Sequence, residues 1–323
     1  MSGDLSQTQW IRKANLIVTQ TAEPGAKEQP ALDLSEFRFT FDIRQQDSQS
    51  PNTAIIRVFN LSIETVRQIQ TAFIRVVLQV GYAHTTVGVI FDGTIVQTRR
   101  GRERNVDSYL DILATEGDLP YTFAVINQTF APGVTSAQLM EAYSKVLGGY
   151  GTPITDNKGL IGGTLPRGKV AFGMAIDYFS QLCITTGHTW VIQNGKIVAI
   201  PLTGYLPGEA VVLNSQSGLI GQPEATQQGV TLRCLINPKI RVGTRVQIAN
   251  YLINETIDRG PGIVPNYANP FAGAYASVTE DGFYRVLVCE YEGDSRGQAW
   301  YQDLICLAID PSVKPEQSVQ RYP

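Results

Sequence analysis

Few residues of this 323-residue chain are spaced for chemistry. The run Gly163-Thr164-Leu165-Pro166-Arg167-Gly168-Lys169 has the spacing of a phosphate-binding loop, in which backbone N–H groups cradle phosphates and a following Ser or Thr holds Mg²⁺. Here the following residue is Val170, and the preceding DNKGLIGG is polar and glycine-rich where a buried strand is required. The run reads as a flexible loop ahead of a helix. His84 and His188 are the only histidines, too few for a zinc site of three or four ligands without paired cysteines or an H-E-x-x-H helix. No G-x-S-x-G elbow presents a nucleophile. Glu290, Glu292 and Asp294 cluster, but glycoside hydrolysis needs one acid raised by an apolar pocket, and these read as solvated at a hairpin tip. No catalytic, cofactor-binding or metal-binding residue is assigned, and no cofactor is expected.

What remains is recognition. Arg99, Arg100, Arg102 and Arg104 surround Gly101 at a hairpin tip that suits an acidic neighbour or a phosphate, or is a soluble end without a partner. Tyr267, Phe271 and Tyr275 sit in a long loop and suit stacking on sugar or burial against a neighbouring subunit.

Composition narrows the class. Hydrophobic residues at 43% and charged residues at 17% give a folded chain, and 323 residues suggest two or three domains. A net charge of −3 argues against a phosphate-coating, nucleic-acid-binding protein. Cys183, Cys234, Cys289 and Cys306 are widely spaced with no C-x-x-C pair, and read as reduced core residues. No run of 18 apolar residues predicts a membrane span.

The elements that position these residues begin with a strand over 9–20. Phe37, Phe39, Phe41 and Ile43 then alternate with polar residues, a polar turn follows, and AIIRVFNL returns as a second strand. Ser62 caps a short helix with Ile63, Val66, Ile69 and Phe73 near helical spacing, and Ile74 to Tyr82 alternates again. Residues 87–115 form a long hairpin ending at the arginines, whose returning strand carries Val106, Leu110, Ile112 and Ala114 on one side. Composition then changes. Thr135 and Gln138 have capping-box spacing ahead of a helix, and Phe172, Ala175, Ile176, Phe179, Leu182 and Cys183 make the stripe of a second one. Asn194-Gly195 predicts a type I′ hairpin turn. Strands are expected again over 230–236, 244–249 and 282–309.

The segment SPNTAIIRVFNLSIETVRQI with VVLQVGY resembles the opening domain of the central baseplate hub proteins of contractile-tailed bacteriophages, over about the first hundred residues. The resemblance implies a structural protein that forms a trimeric ring joining the tail tube to the spike. Two echoes within the chain agree with it. Ile56-Arg57-Val58 parallels Leu232-Arg233-Cys234, with Ile74-Arg75-Val76 paralleling Thr244-Arg245-Val246, and Tyr109 and Asp111 align with Tyr301 and Asp303.

The expected fold is mainly β with a smaller α+β part: tube-type β-barrel domains over 1–118 and 211–310 flank a helix-and-hairpin domain over 119–210, with a tail at 311–323. The expected function is a non-enzymatic homotrimeric hub of the virion's tail baseplate, assembled in the host cytoplasm. Its partners are itself, the tube, spike and baseplate wedge proteins, with no sequence-specific nucleic acid. The alternative is a tail-associated cell-wall hydrolase or carbohydrate-binding module.

Overall fold

The computed structural model describes residues 11–20, 31–48, 50–83, 87–103, 106–152, 154–156, 163–202, 204–226, 229–249, 253–255 and 282–308. Alternating sequence becomes strand in the first part: β1 (Arg12–Thr19), β2 (Ala31–Asp33), β3 (Phe39–Gln46) and β4 (Thr53–Phe59), then helix α1 (Ile63–Ala72), β5 (Arg75–Tyr82), β6 (Gly88–Glu103) and β7 (Asp107–Thr115). Phe39, Phe41 and Ile43 of β3 and Ala54, Ile56 and Val58 of β4 are buried together, as a period of two requires. The Ser62 hydroxyl accepts from the Thr65 N–H at the start of α1, which buries Val66 and Ile69 and leaves Ile63 exposed. Val106 precedes β7 and is exposed, so the apolar side of that strand consists of Leu110, Ile112 and Ala114 alone.

The middle part comprises α2 (Asp118–Phe123), β8 (Val125–Phe130), α3 (Ser136–Gly148), β9 (Ile154–Asp156), β10 (Lys169–Met174), α4 (Ala175–Thr185), β11 (His188–Gln193) and β12 (Lys196–Pro201). Thr135 and Gln138 form the full capping box at α3. Asn194 and Gly195, at φ 56° and 70°, turn β11 into β12. Phe172 does not belong to the α4 stripe. It lies in β10 with its ring exposed, because the pairing of β10 with β8 turns Ala171 inward instead. Lys169 likewise opens a strand, so the 163–169 run does not lead into a helix as a phosphate loop must. Tyr143, Phe179 and Trp190 centre a second, smaller core under these elements.

The last part holds β13 (Val211–Leu213), β14 (Leu219–Thr226), β15 (Gly229–Leu235), β16 (Arg245–Ile248), β17 (Asn254–Glu255), β18 (Phe283–Asp294) and β19 (Trp300–Ala308). One 14-stranded sheet runs through the first and last parts in the order β17-β14-β15-β19-β18-β3-β4-β7-β6-β5-β1-β2, with β16 on β18 and β13 on β16. A single large hydrophobic core spans both. The fold is mainly β, with a smaller α+β part.

Two buried polar clusters fasten the middle part to this sheet. Arg285 of β18 is 4% exposed, donates to the carbonyls of Pro201 (2.9 Å), Leu202 (3.2 Å) and Gly204 (3.3 Å), and pairs with Asp47 at the end of β3. Asp47 also accepts from the Thr189 hydroxyl at 2.8 Å. The second cluster is the buried Glu116 carboxylate, which accepts from Asn52 Nδ2 (2.9 Å), the Asn194 N–H (2.6 Å) and the Asp92 N–H (3.3 Å).

Candidate assembly interface

The echoes in the sequence fall on equivalent rungs of two ladders. Arg57 of β4 stands opposite Asp111 of β7, and Arg233 of β15 stands opposite Asp303 of β19. Each arginine makes a two-pronged ion pair, at 2.6 and 3.1 Å in the first case and 2.7 and 2.7 Å in the second. Each also lies over a tyrosine ring two residues earlier on the partner strand, Tyr109 at 4.0 Å and Tyr301 at 5.2 Å. Arg75 of β5 faces Thr94 of β6 as Arg245 of β16 faces Arg285 of β18. Both long strands slip by one residue at the matching place, between Ile95 and Gln97 in β6 and between Val286 and Val288 in β18. The order β3-β4-β7-β6-β5 is therefore repeated as β14-β15-β19-β18-β16. The repeats differ at their margins, where β1 runs antiparallel to β5 but β13 runs parallel to β16.

The environments of the two ion pairs also differ. The Asp111 side chain is 0% exposed and that of Asp303 is 34% exposed. Burial pushes the Asp111 carboxyl up, yet the hydrogen bonds from Arg57 and Arg99 outweigh it and hold the group below the ordinary carboxylate value. Arg57→Ala is expected to cost about 2 kcal/mol because a buried carboxylate loses its better partner. Arg233→Ala, at the same rung but in solvent, is expected to cost about 1 kcal/mol or less. Denaturant midpoints of the two variants check the order.

The repeats are joined edge to edge by β18 on β3, from Val288 opposite Gln46 to Asp294 opposite Thr40. Arg44 pairs with Glu290 at 3.0 Å and Arg38 with Asp294 at 2.8 Å across this join. Gly293 leaves its place to the ring of Phe41, which meets Trp300 edge-on at 5.8 Å. Asp294 is nearly buried and further accepts from the N–H groups of Arg296 (2.9 Å) and Gly297 (2.8 Å). Burial raises its carboxyl, and Arg38 with these amides brings it below the usual range. Glu290 and Asp294 are therefore cross-strand partners at a join and not members of a free hairpin tip, while Glu292 is exposed and stands opposite Asp42.

The sequence-derived interface residues fall elsewhere. Arg99 and Arg100 lie in the outer half of β6 with Arg102, all three exposed, and Arg99 reaches back to Asp111 at 2.9 Å. Arg104, Tyr267, Phe271 and Tyr275 lie outside the described residues, as does His84. His188 is buried with Nδ1 2.8 Å from the Thr186 carbonyl. Burial pushes the Cys183 and Cys289 thiols up to about 12 and raises those of Cys234 and Cys306 as well, so none offers a thiolate. Among the described residues, no three His, Cys, Asp or Glu side chains are grouped to hold a metal, and no helix is long and apolar enough to cross a membrane.

No family model and no curated protein sequence matches the chain. Solved structures do match its fold. A tail protein from Neisseria meningitidis superposes with a TM-score of 0.51 at 8% identity, over 93% of this chain and 97% of that one. The 43 kDa tail protein of prophage MuSo2 from Shewanella oneidensis gives 0.55 at 8% identity, over the same shares of 93% and 97%. The chain has the fold of these tail proteins.

Proposed function

We propose that the chain is a structural, non-enzymatic component of a phage-like tail baseplate, and that three copies form a hub ring between a sixfold tail tube and a threefold spike. The repetition of one strand arrangement within a single sheet carries the reading. A ring of three such chains offers six quasi-equivalent positions, matching a sixfold partner on one face while staying threefold on the other. The likeness in fold to two tail proteins supports the tail as the place of work. On this reading the chain assembles in the host cytoplasm with tube, spike and wedge proteins and remains in the virion's baseplate.

The test is mass in solution by light scattering with negative-stain imaging, on the chain alone and co-expressed with its neighbouring tail genes. Three-membered rings, alone or in the copurified assembly, are the expected result. A lone subunit that degrades cell-wall substrate, or an assembly with another copy number, overturns the reading.

A further inference from the structure

β8 and β10 form a two-stranded ribbon over the smaller core, and its two outer edges are finished differently. In an antiparallel ladder, opposed residues alternate between pairs that exchange their backbone hydrogen bonds and pairs that point those groups outward. The Ala175 N–H donates to the Ala124 carbonyl at 2.7 Å, one step beyond the facing of Met174 and Val125. The facing pairs Met174 with Val125, Phe172 with Asn127 and Val170 with Thr129 are therefore the outward ones. Phe172 agrees: its N–H donates to the Tyr178 hydroxyl at 3.1 Å, and that hydroxyl donates back to its carbonyl at 3.3 Å. A side chain of α4 thus closes the outer edge of β10. On the other side the N–H and C=O groups of Val125, Asn127 and Thr129 point away from β10, and no strand among the described residues takes them. All three residues are exposed.

The β8 edge lacks the devices that blunt an open strand: VINQTF carries no charge and no proline, and its pairing with β10 runs without a slip. Beside it a groove opens toward α3, lined by Thr129, by half-buried Val134, Ala142 and Val146, and by exposed Glu141 and Lys145. Resting on the tail reading above, we propose that this groove is a strand-addition site, in which an extended segment of another tail component hydrogen-bonds along β8 and lays alternate side chains on α3. The wall of α3 sets the chemistry of that segment. Glu141 and Lys145 are one turn apart, about 6 Å along the helix, and alternate residues of a strand are about 7 Å apart. The segment therefore turns apolar side chains toward Val134, Ala142 and Val146, a base toward Glu141 and, two residues along, an acid toward Lys145. A second β8 is not that segment. It has no charge to offer α3, and a ring of three has no two-fold axis on which two β8 edges could pair.

The test compares the full-length chain alone with the assembly that it forms when co-expressed with its neighbouring tail genes. In the assembly, amide exchange resolved to single residues is expected to slow at least about tenfold at Asn127 and Thr129, whose N–H groups face the added strand. Asn127→Pro removes one of these donors where no ladder bond within the chain depends on it. It is expected to leave circular dichroism unchanged and to strip a component from the assembly, whereas Asn127→Ala keeps both fold and component. The exchanged pair Glu141→Lys with Lys145→Glu, at exposed helix positions, keeps the net charge and is expected to weaken the hold on that component about tenfold. An assembly in which both amides exchange as fast as in the free chain, and which Asn127→Pro leaves complete, overturns strand addition while the tail reading stands. Protection that grows with concentration in the chain alone makes the occupant a second copy and overturns the choice of partner. A chain that captures no tail component overturns both.

Discussion

Arg285→Ala is expected to lower the free energy of unfolding by about 3–5 kcal/mol, among the largest single-residue effects in the molecule. The arginine is enclosed and answers four groups from two other parts of the chain: the Asp47 carboxylate and the carbonyls of Pro201, Leu202 and Gly204. Truncation leaves Asp47, whose side chain is 9% exposed, as a buried charge with only the Thr189 hydroxyl and strands three carbonyls. Asp47→Ala is expected to cost a similar amount for the mirror reason. The double variant Arg285→Met with Asp47→Leu is expected to lose less than the two truncations added together, since neither charge remains to be desolvated. Urea midpoints across the four proteins measure that coupling. Because the cluster ties 201–204 to β18, hydrogen exchange in Arg285→Ala is expected to quicken first along β12, ahead of global unfolding. Additive losses in the double variant would refute a coupled pair.

Local signals in the sequence were sufficient wherever the interaction partner was close in the chain. The alternation at Phe39, Phe41 and Ile43, the capping box at Thr135 and Gln138, and the Asn194-Gly195 turn each name their own geometry. The repeat was also legible, because Arg57 with Asp111 and Arg233 with Asp303 place a charged rung at the same point of an apolar ladder. β14 is not legible in the sequence because Gly221 and Pro223 break the alternation that marks a strand. Phe172 joined the wrong element because an apolar residue three positions before a helix fits the helical period as well as the strand that it occupies.

The β18–β3 join left no local trace. Arg38 and Asp294 are 256 residues apart, and a row of acids at the end of a strand looks the same in a free hairpin as in a paired edge. The candidate site shows the same division. The arginine cluster is visible as composition, whereas the bond from Arg99 to Asp111 across the β6–β7 ladder follows only from register.

Stability is expected to fall as pH rises from about 5 to about 8, and Glu116 is the group responsible. Its carboxyl is wholly buried, and that burial, against the hydrogen bonds of Asn52, Asn194 and Asp92, pushes it up to about 8 from an ordinary 4.5. A raised carboxyl binds a proton in the folded state that the unfolded chain has already released. The stabilising proton is therefore fully held below the ordinary value and is lost as pH climbs through the folded one. Over that window the change is on the order of 4 kcal/mol. The neighbouring charges do not offset it: Asp92, whose N–H faces Glu116, is paired with Arg75 on β5. Asp111 and Asp294, held low, act in the opposite sense and at the acid end, where their contribution is lost as pH falls below the ordinary carboxylate range. Glu116→Gln keeps an acceptor for the two backbone N–H groups while removing the titration, and gives up the bond from Asn52. It is expected to be somewhat less stable than the parent at pH 5, more stable at pH 9, and nearly flat between. Urea unfolding at half-unit pH steps reads both curves, and parallel slopes for parent and variant would remove Glu116 as the cause. The structural readout is local: Glu116 holds the Asn194 turn, so the loss above pH 8 is expected first as faster amide exchange at the tip between β11 and β12, where the middle elements meet the sheet.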